Sequence, residues 1–191
     1  MERYKGGAKR VEALTCKQAS LVLTYLKGLG NKRNVLLWAL GITTGLRVSD
    51  LLSLRLSDLL TPEGEVAESI TVKEKKTGKG RTILVAPIAR QAIDSYRENL
   101  EDGNRLFTIT REQVRRLVKA WCEGCGLRGR YGTHTMRKTF ATVAYDNSGG
   151  DPVVTAQVTG HSNPSQLLVY IGRKPASELK VWHGIGRAFA V

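Results

Sequence analysis

From Leu14 to Gly172 most apolar residues recur at three- and four-residue intervals, the spacing of one helix face. Thr15 with Gln18 three positions on forms a capping box, and Leu21, Val22, Tyr25, Leu26 and Leu29 follow as a stripe until Gly28 and Gly30 end the segment. Asn31 can cap a second helix whose Val35, Leu36, Leu37, Trp38, Ala39, Leu40 and Ile42 are apolar nearly all round, the mark of burial on several sides. After Gly45, Leu46 to Leu54 read as a short helix with Arg47 and Asp50 on one face.

The pattern changes at Ser69. The β-branched runs Ser69 to Val72 and Thr82 to Ala86 flank a loop rich in Lys and Gly, which predicts a hairpin carrying Lys73, Lys75, Lys76, Lys79 and Arg81 at or near its tip. Helical spacing resumes at Pro87, with Ile88, Ala92, Ile93, Tyr96 and Leu100 facing inward. Thr110 and Gln113 form a second capping box ahead of the stripe Val114, Leu117, Val118, Trp121 and Cys122, while Arg111, Arg115, Arg116 and Lys119 mostly fill the other face. Thr133 can cap a helix holding His134, Arg137, Phe140, Val143 and Ala144, Asp151-Pro152 opens another with Val153, Val154 and Val158, and Asn163-Pro164 opens the last, where Leu167, Leu168 and Ile171 flank Tyr170. The fold class is therefore mainly α with one small antiparallel β-sheet, an α+β domain.

Charge narrows the partners. Thirty Lys and Arg against 17 Asp and Glu give a formal charge of +13, a field that attracts a polyanion, and nucleic acid leads because the basic residues are spread through the folded region. A solubility charge or an anionic membrane surface are the competing readings. No apolar run reaches the length of a membrane span, and residues 1 to 7 lack the apolar core of a signal peptide, so a cytoplasmic, nucleoid-associated protein without membrane partners is expected. Three cysteines do not make a disulfide framework, and Cys122 and Cys125 extend a helical stripe more naturally than they form half a metal site.

Several chemistries lack their residues. The histidines at 134, 161 and 183 have no close ligand spacing, the nucleophile elbow G-x-S-x-G is missing, and Lys76 to Gly80 has neither the order nor the spacing of a phosphate-binding P-loop. What remains is a concentration of arginine, histidine and tyrosine between Gly132 and Tyr170, with arginine and lysine upstream. Such a set can transfer a phosphoryl group without metal or cofactor. Two arginines would neutralise the non-bridging oxygens, a tyrosine would attack phosphorus, a histidine would share its proton and a lysine would protonate the leaving oxygen.

Taken together, Thr44-Gly45-Leu46-Arg47-Val48-Ser49-Asp50-Leu51, Lys76-Thr77-Gly78, His134-Thr135-Met136-Arg137, Gly160-His161-Ser162 and Tyr170 resemble the ordered motifs of the tyrosine recombinase (lambda integrase-like) catalytic domain, including nine residues from His161 to Tyr170. The resemblance implies that Arg47 and Arg137 clamp the scissile phosphate and that Tyr170 forms a 3′-phosphotyrosyl link. It further implies that Lys76 is the general acid, that His134 assists proton transfer at the tyrosine, that His161 hydrogen-bonds the phosphate and that Asp50 orients its neighbours. Lys73, Lys75 and Lys79 stay open as alternatives for the acid. Lys138 stands where many members carry a second histidine, and it joins Lys73, Lys75, Lys79, Arg81, Arg115, Arg116 and Lys119 as a candidate DNA contact.

The expected organisation is a basic arm or linker at 1–13, the catalytic domain at 14–172 and a tail at 173–191 that docks on a neighbouring protomer. Members of the family usually carry an additional N-terminal DNA-clamping domain, so the chain is either a catalytic-domain piece or a minimal recombinase, and Lys5 to Val11 reads as an interdomain linker. The expected function is site-specific recombination by a phage or mobile-element integrase, acting on double-stranded attachment sites as a homotetramer on DNA and a monomer when free. A type IB topoisomerase-like enzyme and a non-cleaving DNA-binding regulator are the alternatives.

Overall fold

The structure, a computed structural model, describes residues 11–73, 78, 80–100 and 105–173. Eight α-helices and one two-stranded sheet are found there: α1 Cys16–Gly28, α2 Lys32–Thr44, α3 Val48–Leu51, β1 Ser69–Lys73, β2 Gly80–Leu84, α4 Pro87–Arg97, α5 Arg111–Gly124, α6 Thr135–Asn147, α7 Pro152–Thr159 and α8 Pro164–Ile171. A 3-10 turn at Leu56–Asp58 follows α3. The strands pair antiparallel in a register that sets Ser69 opposite Leu84 and Lys73 opposite Gly80.

Helix α2 is the hub. Leu36, Leu37, Trp38, Ala39 and Leu40 are fully buried, and α1, α3, α4 and α6 all pack on it, as its nearly continuous apolar surface requires. Trp38 donates its indole N–H to the carbonyl of Ala19 at 3.0 Å and meets Trp121 of α5 edge to face at 5.9 Å, joining three helices through one side chain. Both capping boxes form, at Thr15 with Gln18 and at Thr110 with Gln113. Asn31, Asp151 and Asn163 cap α2, α7 and α8 with their side chains.

The structure corrects several sequence expectations. On α1 the inward residues are Ala19, Val22, Leu23 and Leu26, whereas Leu21, Tyr25 and Leu29 lie exposed on the other side. Tyr25 and Leu29 share a row with Leu21 at steps of four, and a helix with two candidate apolar rows can bury only one against α2. The segment after Gly45 forms a single helical turn with Arg47 at its N-cap position instead of a helix to Leu54. β2 begins and ends two residues earlier than its apolar content suggests. Thr133 does not cap α6. His134 occupies that position, and Thr135 accepts from the backbone N–H of Gly132 at 3.0 Å.

A smaller apolar cluster of Ala141, Ala156, Leu167, Leu168 and Ile171 joins α6, α7 and α8 apart from the main core. Between the two clusters α6 and α7 bury polar side chains: Thr135, Arg137, Thr139, Thr155 and Thr159 are all inside, while Val153, Val154 and Val158 of α7 face outward. Hydroxyls satisfied within their own helices make such burial tolerable. The N-terminal edge is fastened as well, by the Leu14 N–H to Thr139 Oγ1 at 2.9 Å and by paired contacts of Glu12 with Arg130. No helix among the described residues is long and apolar enough to cross a membrane.

Candidate active site

The seam between the clusters brings together residues widely separated in sequence. Arg137 lies in the first turns of α6 and is only 4% exposed. Its Nη1 donates to the carbonyl of Gly45, at the C-terminal end of α2, and its Nη2 donates to the carbonyl of Thr159, at the C-terminal end of α7, at 2.9 Å. Helix C-termini carry unsatisfied carbonyls and partial negative charge, so two of them converging form a natural seat for a buried guanidinium. Both helices stop with glycine in the left-handed region, Gly45 at φ 62° and Gly160 at φ 68°, which exposes those carbonyls and turns the chain toward the next site residue.

After Gly45 the chain presents Arg47, whose side chain is 23% exposed and lies 3.9 Å from the buried carboxylate of Asp50. The carboxylate is inside and the arginine head reaches outward. After Gly160 the chain presents His161, whose backbone N–H bonds Ala156 at 2.9 Å and whose Nδ1 lies 2.6 Å from Thr159 Oγ1. Tyr170, on α8, is half-buried. Its ring centroid lies 5.2 Å from that of His161 and 6.5 Å from that of His134, and its hydroxyl donates to the His134 carbonyl at 3.5 Å.

Electrostatics tie these groups to one place. His134 keeps solvent access, yet desolvation by the surrounding protein and then the charges of Arg111, Arg137 and Arg47 lower its pKa below the usual histidine value. Burial raises the Tyr170 phenol above the ordinary tyrosine value, while Arg137 and Arg47 pull it the other way. Both arginines therefore act on both groups. A neutral imidazole, a tyrosine hydroxyl and two guanidiniums in one seam match the needs of an in-line attack on a phosphodiester.

Other candidates divide. Lys75, Lys76 and Lys79 lie outside the described residues, while Lys73 sits exposed at the end of β1. Arg81 of β2 donates to the carbonyl of Val158 at 2.5 Å, linking the hairpin to α7. Arg115 and Arg116 share the carboxylate of Glu112 at 2.6 and 3.3 Å, and Lys119 pairs with Glu123 at 3.6 Å. Lys138 donates to the carbonyl of Val11 at 3.0 Å, fastening the N-terminal segment to α6. Cys122 is a core residue whose thiol burial pushes up to about 12, which suits packing rather than reactivity. Among the described residues no group of three or more His, Cys, Asp and Glu gathers as a metal site would. Sequence reasoning missed Thr159, whose polar side chain gives no signal within an apolar period, and missed the approach of Arg111 to His134, which only the tertiary fold creates.

A mainly helical domain that seats a tyrosine, two histidines and two arginines in one seam has the form of a tyrosine recombinase catalytic domain. The chain belongs to the phage integrase family, whose model matches residues 12–176. It is 33% identical over 149 residues to the Bacillus subtilis (strain 168) protein named probable integrase/recombinase YoeC, covering 74% of this chain and 78% of that one. It is 29% identical to the tyrosine recombinase XerC of Caldanaerobacter subterraneus subsp. tengcongensis, covering 82% of this chain and 46% of the relative, so it spans about half the length of that protein. The crystal structure of the XerH site-specific recombinase bound to difH substrate in a pre-cleavage complex matches with a TM-score of 0.73 and 20% identity over 95% of this chain and 56% of the other, which shows the shared fold.

Proposed function

We propose that this chain cuts and rejoins double-stranded DNA through Tyr170 as the catalytic domain of a site-specific recombinase. Tyr170 Oη attacks the scissile phosphorus, and the bond to the 5′ oxygen breaks. A 3′-phosphotyrosyl link then holds the strand until another 5′ hydroxyl displaces the tyrosine. Arg47 and Arg137 neutralise the non-bridging oxygens, and neutral His134 accepts the phenol proton. A lysine of the hairpin, Lys76 by motif, supplies the proton to the leaving oxygen. Because the phosphotyrosyl link conserves the bond energy, rejoining needs no nucleotide cofactor. The observation that carries this reading is the convergence of His134, His161 and Tyr170 beside two arginines that act electrostatically on the tyrosine.

The decisive experiment incubates the protein with a library of nicked, randomised duplexes and selects adducts that survive detergent. Wild-type protein is expected to enrich a sequence family, and Tyr170→Phe is expected to form no adduct on it. Absence of any adduct, or equal adduct from Tyr170→Phe, overturns the reading. On the enriched duplex the protein is expected to assemble as a homotetramer while remaining a monomer without DNA, which light scattering measures directly.

A further inference from the structure

Thr159 is the last residue of α7 and is fully buried. Its hydroxyl oxygen lies 2.7 Å from the carbonyl of Thr155 and 2.6 Å from Nδ1 of His161. Each of those short contacts needs a proton between its atoms, and a hydroxyl owns one. A carbonyl has none to give. The hydroxyl proton therefore belongs to the Thr155 contact, and the proton on the other contact comes from the ring, so His161 carries its hydrogen on Nδ1. The Schellman-type turn at Gly160, closed by the His161 N–H to Ala156 at 2.9 Å, brings the ring back over its own helix end. The same Thr159 holds Arg137 Nη2 through its carbonyl at 2.9 Å.

We propose that Thr159 is a positioning residue that fixes His161 as the Nδ1–H tautomer and so decides what that ring offers the reacting phosphate. With Nδ1 committed to Thr159, the second nitrogen, Nε2, is an unprotonated acceptor when the ring is neutral and an N–H donor when it is charged. Phosphate oxygens only accept hydrogen bonds, so His161 meets the phosphate as an imidazolium and adds a third positive charge to those of Arg47 and Arg137. Because Arg137 is held by the Thr159 carbonyl, one residue sets the position of two phosphate ligands. This inference rests on the recombinase reading for its consequence and on the fold alone for the tautomer.

Long-range 15N–1H NMR of the full chain without DNA, at a pH where His161 is neutral, reads the tautomer directly. Wild type and Thr159→Ser are expected to show Nδ1–H, and Thr159→Val, nearly the same shape without an acceptor, is expected to turn the ring toward Nε2–H, the form free imidazole prefers. On the enriched duplex Thr159→Val is expected to form the covalent adduct on the order of tenfold more slowly, as loss of one hydrogen bond to a charged group implies, with Thr159→Ser restoring most of the rate. The Arg137 contact uses the backbone carbonyl, so a thermal melt of Thr159→Val is expected to match wild type closely. Nε2–H in the wild-type protein, or a wild-type tautomer or wild-type rate in Thr159→Val, overturns the proposal. Failure of the wild type to form any adduct instead removes the recombinase reading and leaves the tautomer assignment standing.

Discussion

The guanidinium of Arg137 donates to the carbonyl of Gly45, 92 positions upstream, and this contact helps tie the first half of the chain to the second at the seam where Tyr170 sits. Gly45 is suited to it on two counts. Its φ of 62° is a left-handed conformation that other residues adopt at a cost, and an added Cβ would lie 2.2 Å from the Phe140 ring. Gly45→Ala is therefore expected to lose about 2 kcal/mol or more of stability in urea unfolding, from strain and overpacking together. Adduct formation is expected to fall further than stability explains, because the seat of Arg137 shifts.

The two arginines should respond differently to the same change. Arg137 is buried between two carbonyls, so Arg137→Lys, which replaces a planar fork by a point charge, is expected both to destabilise the fold and to slow adduct formation by about 100-fold or more. Arg47 projects outward at 23% exposure, so Arg47→Lys is expected to slow the reaction by a similar order while leaving the urea midpoint nearly unchanged. Equal effects on stability would contradict the division between a seated arginine and a reaching one.

Much of this arrangement was legible in the sequence, and the parts that were not share one cause. Helix starts announced themselves because Thr15, Asn31, Thr110, Asp151 and Asn163 place an acceptor where backbone donors need one, a local interaction independent of the fold. The order of Arg47, His134, Arg137, His161 and Tyr170 marked the site. Apolar periodicity misled on α1, where Leu21, Tyr25 and Leu29 could equally have faced inward, and was silent on α7, where valines face solvent and threonines are buried. In both cases burial is decided by which neighbour a face meets. Thr159 is invisible to pattern for the same reason: its importance comes from Arg137 and His161, one of them 22 residues away.

His134 should titrate below the ordinary histidine value, since desolvation and the charges of Arg111, Arg137 and Arg47 all disfavour its imidazolium. A histidine with a depressed folded pKa favours the neutral form, so the stability it contributes is present above the unfolded value near 6.5 and is lost as pH falls toward the folded one. The same neutral ring is the one able to accept the Tyr170 proton, so adduct formation should fail on the acid side as His134 protonates. Arg111→Gln removes one of the opposing charges. It is expected to raise the His134 pKa, seen by NMR titration, and to move the acid limb of the rate profile to higher pH.

The pKa of Tyr170 is shifted the other way. Burial raises its pKa more than the arginines lower it, so the folded state favours the neutral phenol. The stability this contributes is fully present below the unfolded tyrosine value near 10 and is lost as pH rises through the folded value. Wild-type protein is expected to lose stability more steeply than Tyr170→Phe above about pH 10, measured by urea midpoints across that range. Parallel curves would mean that the phenol is more open to solvent than the structure shows.

The basic surface offers a test in which charge is gained by removing an acid. Arg115 and Arg116 both bond Glu112, whose carboxyl the Arg115 hydrogen bond helps hold down to about 2, so at neutral pH this exposed trio carries one anion against two cations. Glu112→Gln leaves the arginines in place and removes that anion. If α5 lies along the DNA backbone, the variant is expected to bind duplex DNA several-fold more tightly at about 50 mM salt, with the advantage shrinking as salt rises. Lys73→Gln, at the exposed end of β1, should act in the other direction, lowering affinity and reducing the slope of log K against log salt by about 1 for one lost phosphate contact. An unchanged Glu112→Gln beside a weakened Lys73→Gln would place the DNA on the hairpin side and leave α5 as an ordinary solvated helix, because a charge within a Debye length of the phosphates cannot change without changing affinity.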